Sequence, residues 1–196
     1  MKNYRVYVEK YPRFQVEADT LRKELNNNLG LKLTNLRLLN VYDLFGFSEE
    51  LLEKSRYAVF GEVVTDKVSD ECDLTGKKYL AVEFLPGQFD QRASSAVDCV
   101  RLIEPTADVR IKSSKLLIFD DNITDEEMAR IEHYYINAVE SRRKDLNILS
   151  DMEAAEVKPV AILNGLTALK DEELEGFCKQ YGLAMNADDL REVVKY

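Results

Sequence analysis

Apolar positions recur along this chain with two periods, and the period changes in a fixed order. Tyr4, Val6 and Val8 alternate with polar residues, which predicts a strand that Pro12 ends. In the run FQVEADTLRKELNNNLG, Ala18, Leu21, Leu25 and Leu29 fall at helical spacing, and Gly30 predicts a C-terminal cap. LTNLRLLNVYDLFG reads as one strand or a hairpin. SEELLEKSRYAVF predicts a helix, with Ser48 as N-cap and two glutamates in its first turn. GEVVTDKV reads as extended.

The second stretch of the chain runs the same programme. YLAVEFLP predicts a strand stopped by Pro86. FDQRASSAVDCVRLI places Ala93, Ala96, Val97 and Val100 on one helical face, with Asp90 as N-cap. ADVRIKSSKLLIFD reads as a strand pair. TDEEMARIEHYYI predicts a helix with Thr124 and Glu127 at capping-box spacing, and NAVESRR is extended.

The two stretches also match residue by residue. Val8–Pro12 (VEKYP) aligns with Val82–Pro86 (VEFLP), Ala18 with Ala93, and Leu36–Leu38 with Val109–Ile111. Patterning alone makes such units look alike, but it does not repeat VExxP at equal spacing. The expected fold class is therefore α+β: duplicated ferredoxin-like βαββα units, residues 1–68 and 78–143, forming a pseudo-dimer. Each half is too small to bury a generous core alone, so two sheets or two edges would join about a pseudo-dyad. The polar stretch Thr65–Lys78 reads as the linker between halves.

Residues 144–196 read as a separate, helical linker segment. Leu174, Phe177, Cys178 and Tyr181 share one face, with Asp171 as N-cap and Gly182 as stop. A second helix starts after Asn186, carries Leu190, Val193 and Val194, and runs on to Tyr196 without a cap. So short a pair is not expected to bury its apolar stripe. The expectation is a segment truncated at its C-terminal end, with more protein following.

Composition narrows the function. Lys and Arg number 27 against 36 Asp and Glu, a net charge of −9, which disfavours a nucleic-acid binder. Cys72, Cys99 and Cys178 are scattered and odd in number, which fits a reducing compartment and no disulfide or zinc scaffold. Cys99, between Val97 and Val100, reads as a packed thiol. No apolar run approaches the roughly 18 residues of a membrane span, and the N-terminus lacks a signal core. The expectation is a cytoplasmic protein. His133 is the single histidine, which argues against a histidine-based triad. Asp120–Asp121 and Glu126–Glu127 read as turn and helix-start acids. Gly-rich nucleotide motifs are missing from the sequence. The expectation is no catalytic, cofactor-binding or metal-binding residue.

AVEFLPGQFDQRASSAVDCVRLI (Ala81–Ile103), YYINAVESR (Tyr134–Arg142) and Leu166–Tyr196 together resemble the N-terminal region of the large, single-chain phosphoribosylformylglycinamidine synthases of purine synthesis. The resemblance spans essentially the whole chain. Ala138 stands where the family pattern has proline. The resemblance implies a scaffold that bridges the glutaminase and synthase domains of an ATP- and glutamine-dependent C–N ligase. ATP and magnesium belong to downstream domains, and this segment alone is expected to be inactive. The counterpart run Tyr11–Asp19 lacks the polar set of Gln88, Asp90, Gln91 and Arg92, so scaffold needs alone do not explain these four residues, and they are expected to face another domain of the same enzyme. A competing expectation is a free-standing regulatory module that binds a small molecule between its halves.

Overall fold

The structure is a computed structural model and describes residues 2–119, 123–150 and 162–195. It divides into two units, Met1–Ala154 and Ala155–Tyr196. The described residues form an α+β fold with six α-helices and one six-stranded antiparallel sheet.

The first unit runs β1 (Tyr4–Lys10), α1 (Val16–Leu29), β2 (Leu36–Phe45), α2 (Glu49–Ser55), β3 (Asp66–Ser69), β4 (Tyr79–Phe84), α3 (Gln91–Ile103), β5 (Arg110–Phe119), α4 (Asp125–Tyr135) and β6 (Ser141–Arg143). The strand order is β3-β1-β2-β5-β4-β6. One expectation is corrected here. ADVRIKSSKLLIFD makes one ten-residue strand rather than a strand pair, and LTNLRLLNVYDLFG takes the single-strand form of its two readings, so the order within each stretch is β-α-β-α-β rather than βαββα. Of the two expected arrangements, two sheets or two joined edges, the sheet is one continuous layer, with β2 and β5 paired over ten positions at its centre.

The reason lies in burial. Central strands are covered on both faces, so they read as long apolar runs without an internal turn. Ser113 and Ser114, which mimic a turn signal, are both buried. Ser113 lies one residue past the last β4–β5 pair, Glu83 with Ser114. There its N–H donates to Asp90 at 2.7 Å, which replaces the missing strand partner.

The helices cover one sheet face in two clusters. Leu51 and Leu52 of α2, Phe60, and Ala93, Ala96 and Val100 of α3 pack on Val6, Val8, Tyr42, Leu44 and Ile111. Leu25 of α1 and Ile131 of α4 pack on Leu36, Leu80, Val82, Leu117 and Phe119. Each cluster mixes residues from before and after the 70s, so neither stretch of chain keeps a core to itself. Fully burying one such leucine contributes about 2 kcal/mol.

The opposite face carries Tyr7, Leu39, Val41, Ala81, Leu116 and Ile118 beneath Cys72, Leu74 and Leu146. Next to it runs a chain of charges. Arg5 Nε lies 2.5 Å from Asp43, and Lys144 Nζ lies 2.9 Å from Asp43 and 2.8 Å from Glu83. Arg142 reaches Glu83 at 2.9 Å. Arg5 also donates to the Leu146 and Ile148 carbonyls. Residues 144–150, grouped with the helical tail by sequence, thus pack on the sheet of the first unit.

The expected caps form: Ser48 accepts from Leu51 N, Asp90 from Ala93 N, and Thr124 and Glu127 close a capping box. Gly30 ends α1 in the left-handed region at φ 64°. The expected Thr65–Lys78 linker contains β3, because the outer edge of β1 takes a partner and Asp66 is buried beside it. Asp120 and Asp121 lie outside the described residues.

The second unit holds α5 (Leu174–Tyr181) and α6 (Ala187–Val194). Against expectation, this short pair buries Leu174, Phe177, Cys178 and Leu190, because Leu163, Leu166, Leu169 and Leu183 close around them. Asp171 does not cap α5. It opens a 3-10 turn, Asp171–Glu173, and its carboxylate meets Arg191 at 3.1 Å. Asn186 caps α6 as expected, and α6 spans Ala187–Val194; the expected run to Tyr196 reaches a residue outside the described ones. No described helix is long and apolar enough to cross a membrane.

Candidate functional site

The run Leu85–Ser94 forms one side of a cleft of about 800 Å³ on the helical face of the sheet. Its shape starts with a turn. Gln88 N–H donates to Leu85 O at 3.0 Å, with Gly87 in the left-handed region between them. Leu85 N–H donates to Glu140 O at 2.9 Å and the Gln88 side chain to Val139 O at 3.2 Å, so the turn is tied to the α4–β6 connection. Phe89 is left 74% exposed, a large apolar surface for a folded chain.

The four residues expected to face a partner separate into two groups. Asp90 is used internally: its carboxylate accepts from Ala93 N, Ser113 N and Ser113 Oγ, at 2.9, 2.7 and 2.8 Å. Gln88 holds the turn. Gln91 and Arg92 line the cleft and are exposed. Arg92 sits in the first turn of α3, where a cation opposes the helix dipole. Its Nη1 reaches the Tyr42 hydroxyl at 3.4 Å.

Further along α3, Cys99 lines the same cleft and is exposed. This corrects the expectation of a packed thiol. The buried face of α3 is Ala93, Ala96 and Val100, and Cys99 falls beside that stripe rather than on it.

Strands and the far wall complete the site. Lys115 projects from β5 and is held by Glu17 of α1 at 2.7 Å. Tyr135, at the end of α4, has its phenol pushed up to about 12 by burial and then by the Glu17 charge. Asn137, Glu140 and Ser141 line the side opposite α3 in sequence, with Phe84 half-exposed nearby. His133 is exposed on α4. Among the described residues, no three His, Cys, Asp or Glu side chains converge as metal ligands.

Sequence reasoning found the α3 side of this cleft and missed the rest. One signal was available: Lys115 interrupts an otherwise buried strand on the helix-covered face. A charge at such a position requires a partner or a solvent-filled recess, and it has both. Chemically, the cleft offers one guanidinium, one ammonium, two carboxylates, two carboxamides, a thiol, hydroxyls and aromatic rings. No family model matches the sequence, and no curated protein matches it.

Proposed function

We propose that this chain is the N-terminal assembly segment of a large-type phosphoribosylformylglycinamidine synthase. It is built from two related halves and bridges the glutaminase and synthase domains. The residue resemblance over Ala81–Ile103 supplies the family, and the fold supports the duplication. One observation carries most weight. At the middle of the central ladder Val41 stands opposite Ser114. Aligning Leu36–Leu38 with Val109–Ile111 makes those same two residues counterparts. A twofold relation between halves of equal length puts such a self-paired position near the middle of the ladder, where Val41 and Ser114 stand.

The strand order supports the same reading, since β3-β1-β2 is followed by the mirrored β5-β4-β6. The shared cores explain why such halves stay fused. An assembly role also agrees with a cleft rich in recognition groups. ATP, magnesium and the glutaminase nucleophile are assigned to the rest of the enzyme.

The purified chain, given glutamine and ATP, is expected to release neither ammonia nor phosphate. Glutamine hydrolysis by this chain, abolished by substituting one of its own residues, would overturn the reading.

A further inference from the structure

The two sides of the central ladder use equivalent positions differently. Alignment of Ala18 with Ala93 makes Glu17 and Arg92 counterparts, and alignment of the strands makes Lys115 and Tyr42 counterparts. Glu17 pairs with Lys115 at 2.7 Å. Among the described residues, its counterpart Arg92 meets the Tyr42 hydroxyl, at 3.4 Å, and no carboxylate forms an ion pair with it. Among the described residues, the α3 side therefore carries a guanidinium without a carboxylate partner where the α1 side carries a closed pair.

That guanidinium faces a cleft with an unusual rim. Phe89 and Phe84 are 74% and 43% exposed, and the Gln91 and Asn137 carboxamides line the space between. Arginine and aromatic side chains dominate the binding energy of protein interfaces. Carboxamides match the donor and acceptor pattern of a peptide backbone. The other lining charges are already committed, Lys115 to Glu17 and Glu83 to Arg142 and Lys144. Glu140, exposed at the α4–β6 connection, adds one negative charge and so disfavours a strongly acidic occupant.

We propose that the cleft between α3 and the α4–β6 connection docks an extended polypeptide segment from a partner. The segment carries a single carboxylate for Arg92, flanked by apolar side chains for Phe84 and Phe89. The inference deepens the assembly reading, because it gives that reading a contact surface. It rests on the cleft alone and does not depend on which enzyme supplies the segment.

The test uses the full chain and a displayed library of random short peptides. Enriched peptides are expected to hold one Asp or Glu between apolar residues, and to slow alkylation of Cys99, which lines the cleft. Arg92→Glu is expected to weaken their binding roughly tenfold or more, while Arg101→Ala, on the same helix, leaves it unchanged. Glu140→Gln is expected to admit more acidic peptides. Arg92 is exposed and a glutamate suits a helix's first turn, so the variant folds, which circular dichroism verifies. Peptides without an acidic residue, or bound equally by Arg92→Glu, would overturn the proposal. So would peptides that leave Cys99 alkylation unaltered. If peptides bind here but the remaining synthase does not, the docking site stands and the assembly reading falls.

Discussion

Lys144 Nζ lies 2.9 Å from Asp43 of β2 and 2.8 Å from Glu83 of β4, with its side chain only 6% exposed. One buried ammonium thus joins carboxylates from both halves of the sheet, across the central β2–β5 ladder. Each carboxylate also keeps an arginine, Arg5 or Arg142. Removing the ammonium takes one cation from buried Asp43 and from partly buried Glu83. Lys144→Ala is expected to cost about 3 kcal/mol, measured by urea unfolding. A change below the error of that measurement would mean that the network does not tie the halves together.

Asp90 tests the division of labour in the Leu85–Ser94 run. Its carboxylate caps α3 and replaces a strand partner for Ser113. Asp90→Ala is expected to destabilise the fold by about 2 kcal/mol, and Gln91→Ala by less than about 0.5 kcal/mol, as for an exposed residue. Equal effects would contradict the separation of structural Asp90 from recognition-type Gln91.

Gly46 follows β2 at φ 78°, and a Cβ there would run into the backbone carbonyl of Asp108. Gly30 has a similar φ of 64° but open space around it. Alanine at Gly30 is expected to cost about 1 kcal/mol, the conformational penalty alone. Alanine at Gly46 is expected to cost at least about twice as much, because backbone must also move. Thermal unfolding of the two variants measures the difference.

Acid sensitivity is expected to centre on Asp66, at the β1–β3 edge. Burial pushes its carboxyl up, but the Glu62 N–H, Lys10 and Thr65 outweigh burial and hold it below its ordinary value. A lowered folded value means the stabilisation is complete above the unfolded value, about 3.9. It erodes as pH falls from there toward the lower folded value. Asp66→Asn is expected to flatten the acid limb of stability against pH. Tyr135 gives the opposite sign. Its stabilisation is complete below the ordinary tyrosine range and is lost as pH rises toward about 12, which ultraviolet titration of Tyr135→Phe against wild type detects.

The elements were legible because period, caps and stops agreed in each: α1 with Gly30, α2 with Ser48, α4 with its capping box. What was not legible was pairing. Nothing in KSSK of β5 distinguishes a turn from a buried strand segment until Asp90 is placed against Ser113. The α3 side of the cleft stood out as polar excess at Gln88–Arg92, but its other walls come from strands and a connection distant in sequence. Tyr42, Lys115 and Tyr135 converge only after the ladder register is set. The ion network was hidden for the same reason, since Arg5, Asp43, Glu83 and Lys144 each look like an ordinary charge in its own segment.

The assembly reading makes its most direct prediction in a binding measurement. The 196-residue chain is titrated calorimetrically into a phosphoribosylformylglycinamidine synthase that lacks its N-terminal segment. The account predicts saturable one-to-one binding that restores coupling between glutamine hydrolysis and product formation, and that Arg92→Glu weakens. The absence of both heat of binding and restored coupling, with each protein folded, would contradict it.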